Sequence, residues 1–318
     1  MAESCQLSLL PAEDARPTLR EVAAAVKVAG LEGLPDARRR SDQARYQEVH
    51  VKSALTEAVG MPFRWALNPY RGCTHACEYC YARKYQRHLE LDAGDDFSGL
   101  IFVKTNLPEV LGREVTRRTW SREAVAVGTA TDPYQPIEGH YRLTRRSIEV
   151  LTAARTPFHI VTKGPMVVRD TDVLIEATRH AGCRVYMSVP SVDEAAWSRL
   201  EPGTAPPSQR LRAVRHLTDA GVEAGVLMMP LVPGVTTLRS SIERTLQAIA
   251  DAGAKFVGTN VAYLEDGVRE HFFAFLGREY PHLLDGYRRL YTRGYAPKGY
   301  VAEIKSVVTA AAARLGLG

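Results

Sequence analysis

The chain has 318 residues, of which 45% are hydrophobic and 24% charged, so it can bury one large α/β core or two smaller domains. No apolar stretch reaches the roughly 18 to 20 residues of a membrane span, and residues 1–30 lack a secretion signal, so we expect a cytoplasmic protein without a membrane partner. The net charge is +5, and the basic residues are scattered along the chain. This pattern favours solvated helix faces and gives nucleic-acid contact only weak support.

Residues 1–58 are expected to form an N-terminal extension. As far as about residue 45 they mix Ala, Glu, Arg, Pro and Gly without a sustained hydrophobic period. One short helix is predicted there, at Leu19–Val28, and Cys5 is interpreted as an incidental thiol. From about residue 60, short β-rich runs alternate with amphipathic helices, which indicates the start of the main domain.

The main domain is predicted to be a partial barrel. Its predicted strands are Phe63–Asn68, Ala124–Thr129, Phe158–Thr162, Arg184–Val189, Val222–Met229 and Lys255–Ala262. A further run, Leu100–Lys104, is predicted to be a seventh or an edge strand. Two of the intervening helices stop at Gly221 and Gly253. Repeated strand and helix units imply parallel strands with right-handed crossovers, so we expect an α/β fold with an open or partial barrel.

Polar turns follow the predicted strands, at the end where parallel α/β barrels carry their sites. These turns begin at Asn68, Gly128, Thr162, Ser188, Met229 and Thr259. The first leads into a loop with three of the five cysteines of the chain. We therefore expect that loop at the mouth of the barrel, beside the other turns.

The cysteine loop is predicted to hold a metal cluster. Cys73, Cys77 and Cys80 have the spacing C-x-x-x-C-x-x-C, in which three thiolates can surround one corner of a [4Fe-4S] cube. Such a cluster normally takes four thiolates, so one iron stays open for a chelating amine and carboxylate such as those of S-adenosylmethionine (SAM). The alternative is a structural zinc site completed by His75, although no second C-x-x-C pair is present.

The loop, with the aromatic Tyr79 before its third cysteine, resembles the signature of the radical SAM superfamily. The resemblance narrows to the branch related to spore photoproduct lyase, often described as DNA repair photolyase-like. It rests on Asn68-Pro-Tyr-Arg-Gly-Cys, Gly128-Thr-Ala-Thr-Asp-Pro-Tyr-Gln-Pro-Ile-Glu, Ile160-Val-Thr-Lys and Glu201-Pro-Gly-Thr, and covers about residues 61–300. It implies a partial (β/α)6 barrel of the radical SAM type over 59–265, capped by a C-terminal helical extension over 266–318.

The resemblance also implies roles for individual residues. The three loop cysteines would ligate irons of a [4Fe-4S] cluster, and SAM would chelate the fourth iron. Six positions would contact SAM: Tyr79, Thr131, Lys163, Ser188, Arg199 and Glu201. Tyr79 would pack against the adenine, Lys163 would contact the carboxylate, and either Arg199 or Glu201 would lie near the methionyl group or the ribose. A core aromatic, a surface charge and a plain turn are the ordinary alternatives for these positions.

One departure from the branch concerns hydrogen transfer. Tyr81 matches a relay tyrosine of spore photoproduct lyase, but Ala130 stands where that enzyme uses a cysteine to quench the product radical. Cys183, the other thiol of the barrel region, begins a strand and is interpreted as a small buried hydrophobe. The tyrosine-rich segment 291–300 is expected either to contact substrate or to pack as a C-terminal tail.

The resemblance therefore implies a lyase or oxidoreductase type of radical enzyme that takes hydrogen from an organic substrate. That substrate would be a nucleic acid, a nucleoside or another small metabolite, and the electron donor would be a protein such as flavodoxin or ferredoxin. Repair of DNA lesions is one alternative, and the alanine at 130 argues against it. A non-catalytic iron-sulfur protein that binds nucleic acid or senses redox state is another.

Overall fold

The computed structural model describes residues 18–21, 24, 28, 38, 39, 44–265 and 267–317. Cys5 and half of the predicted helix Leu19–Val28 lie outside these residues. The strands are β1 (Arg38–Arg39), β2 (Arg45–Val49), β3 (Leu55–Glu57), β4 (Trp65–Leu67), β5 (Tyr70–Arg71), β6 (Leu100–Lys104), β7 (Val125–Val127), β8 (Phe158–Thr162), β9 (Cys183–Ser188), β10 (Glu223–Leu231) and β11 (Val257–Val261).

Helices follow most of these strands. The α-helices span Asp95–Gly99, Leu107–Val115, Glu138–Tyr141, Leu143–Ala153, Thr171–His180, Glu194–Leu200, Pro207–Asp219, Arg239–Asp251, Val268–Glu279, Leu284–Leu290 and Lys298–Arg314. In the described part of the chain, 3-10 helices span Tyr81–Leu89, Pro165–Asp170 and Pro281–Leu283.

The larger sheet contains the six predicted barrel strands side by side. Its order is β11-β10-β9-β8-β7-β4-β3, and every neighbouring pair from β4 to β11 is parallel. The predicted α/β fold with a partial barrel is thus confirmed. Leu55–Glu57 adds a seventh, antiparallel strand beside Trp65–Leu67. The division at residues 58 and 265 stays a prediction.

The run Leu100–Lys104 is a strand, but it lies in a second sheet and not in the barrel sheet. That sheet has the order β1-β2-β6-β5, with β6 parallel to Arg45–Val49 and antiparallel to Tyr70–Arg71. The four residues from Leu100 to Val103 are fully buried because apolar clusters cover both faces of the strand. The expectation of a seventh or edge barrel strand was therefore wrong.

The C-terminal helices close against the barrel. Lys298–Arg314 packs on Arg239–Asp251 and on β11, and the hydroxyl of the buried Tyr291 donates to the Ala262 carbonyl over 2.8 Å. His271, on Val268–Glu279, lies 2.7 Å from the carboxylate of Glu78 in the cysteine loop. Within the part of the chain that the structure describes, no helix combines the length and apolarity needed to cross a bilayer.

Candidate active site

The cysteine loop leaves β5 and turns immediately at Gly72. This glycine has a φ of +80°, and a Cβ there would lie 2.9 Å from the Phe97 carbonyl oxygen, so a larger residue would strain the turn. The Cys73 amide donates to the same carbonyl over 2.9 Å. The start of the loop is thereby fixed against the helix Asp95–Gly99, which precedes β6.

The three thiols of the loop are free of disulfides. Cys73 and Cys77 are buried and Cys80 is half-buried. Burial raises the pKa of the Cys77 thiol to about 12, so this thiol is protonated at neutral pH. The hydroxyl of Thr74 is buried with no hydrogen-bond partner among the described residues, which leaves a polar atom inside the loop for a bound group. Three thiols beside such an atom fit the donor set of a [4Fe-4S] cluster.

His75 is held by a carboxylate outside the loop. Its Nδ1 lies 3.2 Å from Oδ2 of Asp132, and the same carboxylate accepts from the hydroxyl of Thr162 and the amide of Lys163, each over 2.6 Å. Burial alone would raise the pKa of Asp132, but His75 and these donors outweigh it and lower the pKa to about 2. Over the described residues, no group of three or more His, Cys, Asp or Glu side chains is arranged for a single metal ion.

A buried group of charges lies against the loop. The hydroxyl of Tyr79 donates to Oε1 of Glu201, and Oε2 of the same carboxylate lies 2.7 Å from Nη2 of Arg210. The Nζ of Lys163 is 3.8 Å from Oε1 and 5.6 Å from the centre of the Tyr79 ring. Burial would raise the pKa of Glu201, but Arg210 and then Lys163 lower it, so this carboxylate is ionised.

Arg210 connects this group to the strand ends. Its Nη1 donates to the Ser188 carbonyl over 3.0 Å and its Nε donates to the Ala205 carbonyl over 2.8 Å. The Ser188 hydroxyl donates to the Met229 carbonyl over 3.3 Å, which ties β9 to β10. Ser188 therefore lies at the predicted end of the barrel, with its hydroxyl already engaged.

Thr131 and Tyr81 also bond to backbone carbonyls. The Thr131 hydroxyl donates to the carbonyl of Gly72 over 2.6 Å, directly before Cys73. The Tyr81 hydroxyl donates to the carbonyl of Thr129, beside Ala130. The turn after β7 thus contacts both ends of the cysteine loop.

The structure brings together all but one of the predicted site residues around the loop. The exception is Arg199, whose side chain is 47% exposed, pairs with Glu279 at 3.7 Å and lies 5.3 Å over the ring of Tyr280. Arg199 and Glu201 were the two alternatives for a SAM contact in this turn, and Glu201 is the buried one. Cys183 is buried at the start of β9, the end of the strand away from Ser188.

Sequence reasoning missed Arg210, Asp132 and Gly203 as parts of the site. A Cβ on Gly203 would overlap the Thr74 carbonyl oxygen, and the Gly203 amide donates to the His75 carbonyl over 3.1 Å. The motif Glu-Pro-Gly-Thr therefore contains a close backbone approach to the cysteine loop. A glycine between two turn residues was the available signal for it.

Comparison with known proteins agrees with this geometry. The family model of the Radical SAM superfamily matches residues 67–249. An uncharacterized protein of Mycobacterium tuberculosis is 39% identical over 263 residues, which are 81% of this chain and 77% of that protein. A protein named radical SAM Nalpha-GlyT isomerase, from Pseudomonas phage M6, is 25% identical over 223 residues, covering 68% of this chain and 43% of that protein.

Among solved structures, spore photoproduct lyase complexed with dinucleoside spore photoproduct superposes with a TM-score of 0.67. The match covers 85% of this chain and 79% of that chain at 16% sequence identity, so it shows a shared fold. It confirms the expected resemblance to the spore photoproduct lyase type of barrel. With the family model spanning more than half of the sequence, the chain belongs to the radical SAM superfamily.

Proposed function

We propose that the chain is an enzyme that cleaves SAM reductively and takes hydrogen from an organic substrate. The observation that carries this proposal is the three-thiol loop directly against the buried group of Tyr79, Glu201, Lys163 and Arg210. When bound to Cys73, Cys77 and Cys80, a [4Fe-4S] cluster supplies one electron that breaks a carbon–sulfur bond of SAM, giving methionine and a 5'-deoxyadenosyl radical.

The surrounding residues have separate tasks in this proposal. Lys163 supplies a positive charge for the SAM carboxylate at a place shielded from water, where a charge-assisted hydrogen bond is strong. The Tyr79 ring offers a flat apolar face for the adenine, and its hydroxyl is fixed by Glu201. Arg210 keeps that carboxylate ionised and oriented.

The substrate is proposed to be a nucleoside or another small metabolite, or a nucleic acid. Spore photoproduct lyase shares the fold, and its structure holds a dinucleoside lesion. At the position matched to that enzyme's hydrogen donor, this chain has Ala130, whose amide is fixed by the Asn68 side chain over 2.8 Å. Because alanine cannot return a hydrogen atom, chemistry other than lesion repair is favoured. A flavodoxin or ferredoxin is the proposed electron donor.

The test is formation of 5'-deoxyadenosine by anaerobically reconstituted protein given dithionite and SAM. We expect the wild-type chain to form it and Cys77→Ala to lose the activity. Cys183→Ala is the matched control, because this buried thiol begins β9 away from the loop, and it is expected to retain the activity. A wild-type protein that loads four irons yet forms no 5'-deoxyadenosine overturns the proposal.

Two further measurements separate the alternatives. Radiolabelled dinucleoside spore photoproduct that returns unrepaired, while SAM is cleaved in the same reaction, excludes lesion repair. Full cluster loading with no SAM binding by calorimetry favours a non-catalytic iron-sulfur protein.

A further inference from the structure

Two basic side chains, Arg71 and Lys104, lie on the same face of the second sheet. Arg71 of β5 is paired with Phe102 of β6, and Lys104 follows Phe102 by two residues. Because side chains alternate along a strand, Phe102 and Lys104 point to the same side of the sheet as Arg71. The 3-10 helix Tyr81–Leu89, which follows the cysteine loop, covers this side.

Neither cation has a carboxylate partner among the described residues. Arg71 donates to the Tyr85 carbonyl and, over 3.2 Å, to the side-chain oxygen of Gln86. The Nζ of Lys104 donates to the Asn68 carbonyl over 2.7 Å, which uses one of its three N–H donors. Both residues are half-buried, so the chain covers part of each and leaves part in contact with solvent.

Arg210 and Arg83, two buried cations of this chain, are compensated. Arg210 pairs with Glu201 at 2.7 Å. Arg83 donates to four backbone carbonyls over 2.8 to 3.1 Å. Lys104 and Arg71 have fewer acceptors, and the sheet register makes them diagonal neighbours on one face. Burial, and then the charge of Arg71, lower the pKa of Lys104 to about 8. An anion would relieve both the repulsion and the missing acceptors.

The pair lies next to the reaction centre of the proposed function. The Asn68 carbonyl accepts from Lys104, and the Asn68 side chain accepts from the Ala130 amide over 2.8 Å. Ala130 packs with Cys80 and Tyr85 against the cluster of Cys73, Ala82 and Phe97. One residue therefore separates the ammonium group from the position matched to a hydrogen donor.

We infer that Lys104 and Arg71 form a binding site for an anionic group of the substrate, a carboxylate or a phosphate, beside Ala130. The inference rests on the proposed function, because it takes the side of the cysteine loop facing Ala130 as the substrate side. It adds to that function a charge requirement: the substrate has an acidic group a short distance from the hydrogen that is removed.

The experiment follows acetylation of lysines in the full-length, cluster-loaded protein. The protein reacts briefly with N-hydroxysuccinimidyl acetate, alone or with inorganic phosphate, formate or chloride at matched ionic strength, and peptide mass spectrometry quantifies each lysine. We expect phosphate or formate to slow modification of Lys104 saturably, by about fivefold or more. Exposed Lys305 is the matched control and is expected to show no protection beyond that of chloride.

Arg71→Met provides the second arm. We expect it to raise the anion concentration needed for half-protection of Lys104 by about tenfold, because one of the two charged donors is lost. Stronger protection by phosphate identifies a phosphate site, and stronger protection by formate identifies a carboxylate site. Wild-type Lys104 that neither anion protects beyond chloride, or protection that Arg71→Met leaves unchanged, overturns the inference.

Formation of 5'-deoxyadenosine by the same wild-type preparation separates the two proposals. If SAM is cleaved and Lys104 is unprotected, the anion site fails while the proposed function stands. If Lys104 is protected and no 5'-deoxyadenosine forms, the anion site is supported and the proposed function fails.

Discussion

The carboxylate of Glu201 and the guanidinium of Arg210 form a buried ion pair, with Oε2 and Nη2 separated by 2.7 Å. Both side chains are almost completely removed from solvent. The pair joins the Glu-Pro-Gly-Thr turn to the helix Pro207–Asp219, and through the Ser188 carbonyl it reaches β9. It therefore fixes the position of Tyr79, which donates to the other oxygen of the carboxylate.

Removing Arg210 is expected to destabilise the protein strongly. Arg210→Met leaves Glu201 buried without its main partner, and breaking a buried pair in this way costs about 3 to 5 kcal/mol. Anaerobic urea denaturation measures the loss. Arg212→Met, on the exposed face of the same helix, is the control and should change stability by no more than about 0.5 kcal/mol. Equal effects from the two variants would contradict the structural role of the pair.

Gly203→Ala is expected to disturb the cysteine loop. Its Cβ would overlap the Thr74 carbonyl and lie 3.0 Å from the His75 backbone, so the loop must move at a cost of about 1 to 3 kcal/mol. The measurements are iron content and thermal unfolding, and both should fall. Gly286→Ala is the control, because a Cβ there meets nothing within 4 Å and the residue is helical. Normal iron loading of Gly203→Ala would argue against this contact.

Lys163→Met is expected to weaken SAM binding by about tenfold or more, the value of one lost hydrogen bond to a charged group. The ammonium of Lys163 lies 3.8 Å from Oε1 of Glu201 and over the Tyr79 ring. In the proposed function it is the cation that contacts the SAM carboxylate. Calorimetry on the cluster-loaded protein gives the affinity, with Lys305→Met as the matched loss of one exposed lysine. If both variants bind SAM like the wild type, Lys163 has another role.

The pKa of Lys104 is expected near 8 because burial, and then the charge of Arg71, favour the neutral amine. The pH dependence of its acetylation measures this value, and Arg71→Met should raise it. As the pH rises, the folded chain releases this proton before the unfolded chain does. Lys104 therefore makes the free energy of unfolding rise between pH 8 or so and pH 10.5, which is the ordinary pKa of a lysine. A stability difference between wild type and Lys104→Met that is constant over this range would contradict the shift.

The barrel strands were predictable because each has a short β-rich run followed by a helix with its own stop, as at Gly221 and Gly253. The second sheet was not. Arg45–Val49 contains Arg, Gln and Glu, which indicate a surface segment, yet it pairs with Leu100–Lys104 and is mostly buried. The two strands are 55 residues apart in the chain, so their pairing leaves no pattern in the local sequence. The burial of Arg45–Val49 therefore depends on tertiary structure.

The grouping of three thiols in one short loop follows from their spacing, and their role as cluster ligands stays a prediction. Arg210 could not be predicted in this way. It lies in the first turn of an ordinary amphipathic helix, and its partners come from the turn before that helix and from the end of β9. For Arg199 and Glu201 the expectation was that one of the two would lie near SAM, and the structure buries Glu201 while it leaves Arg199 exposed.

The most direct test is the iron, sulfide and zinc content of the wild-type protein purified and reconstituted without oxygen. We expect about four irons and four sulfides per chain and no stoichiometric zinc, with Cys73, Cys77 and Cys80 as the protein ligands. One zinc per chain, without sulfide, would contradict this expectation.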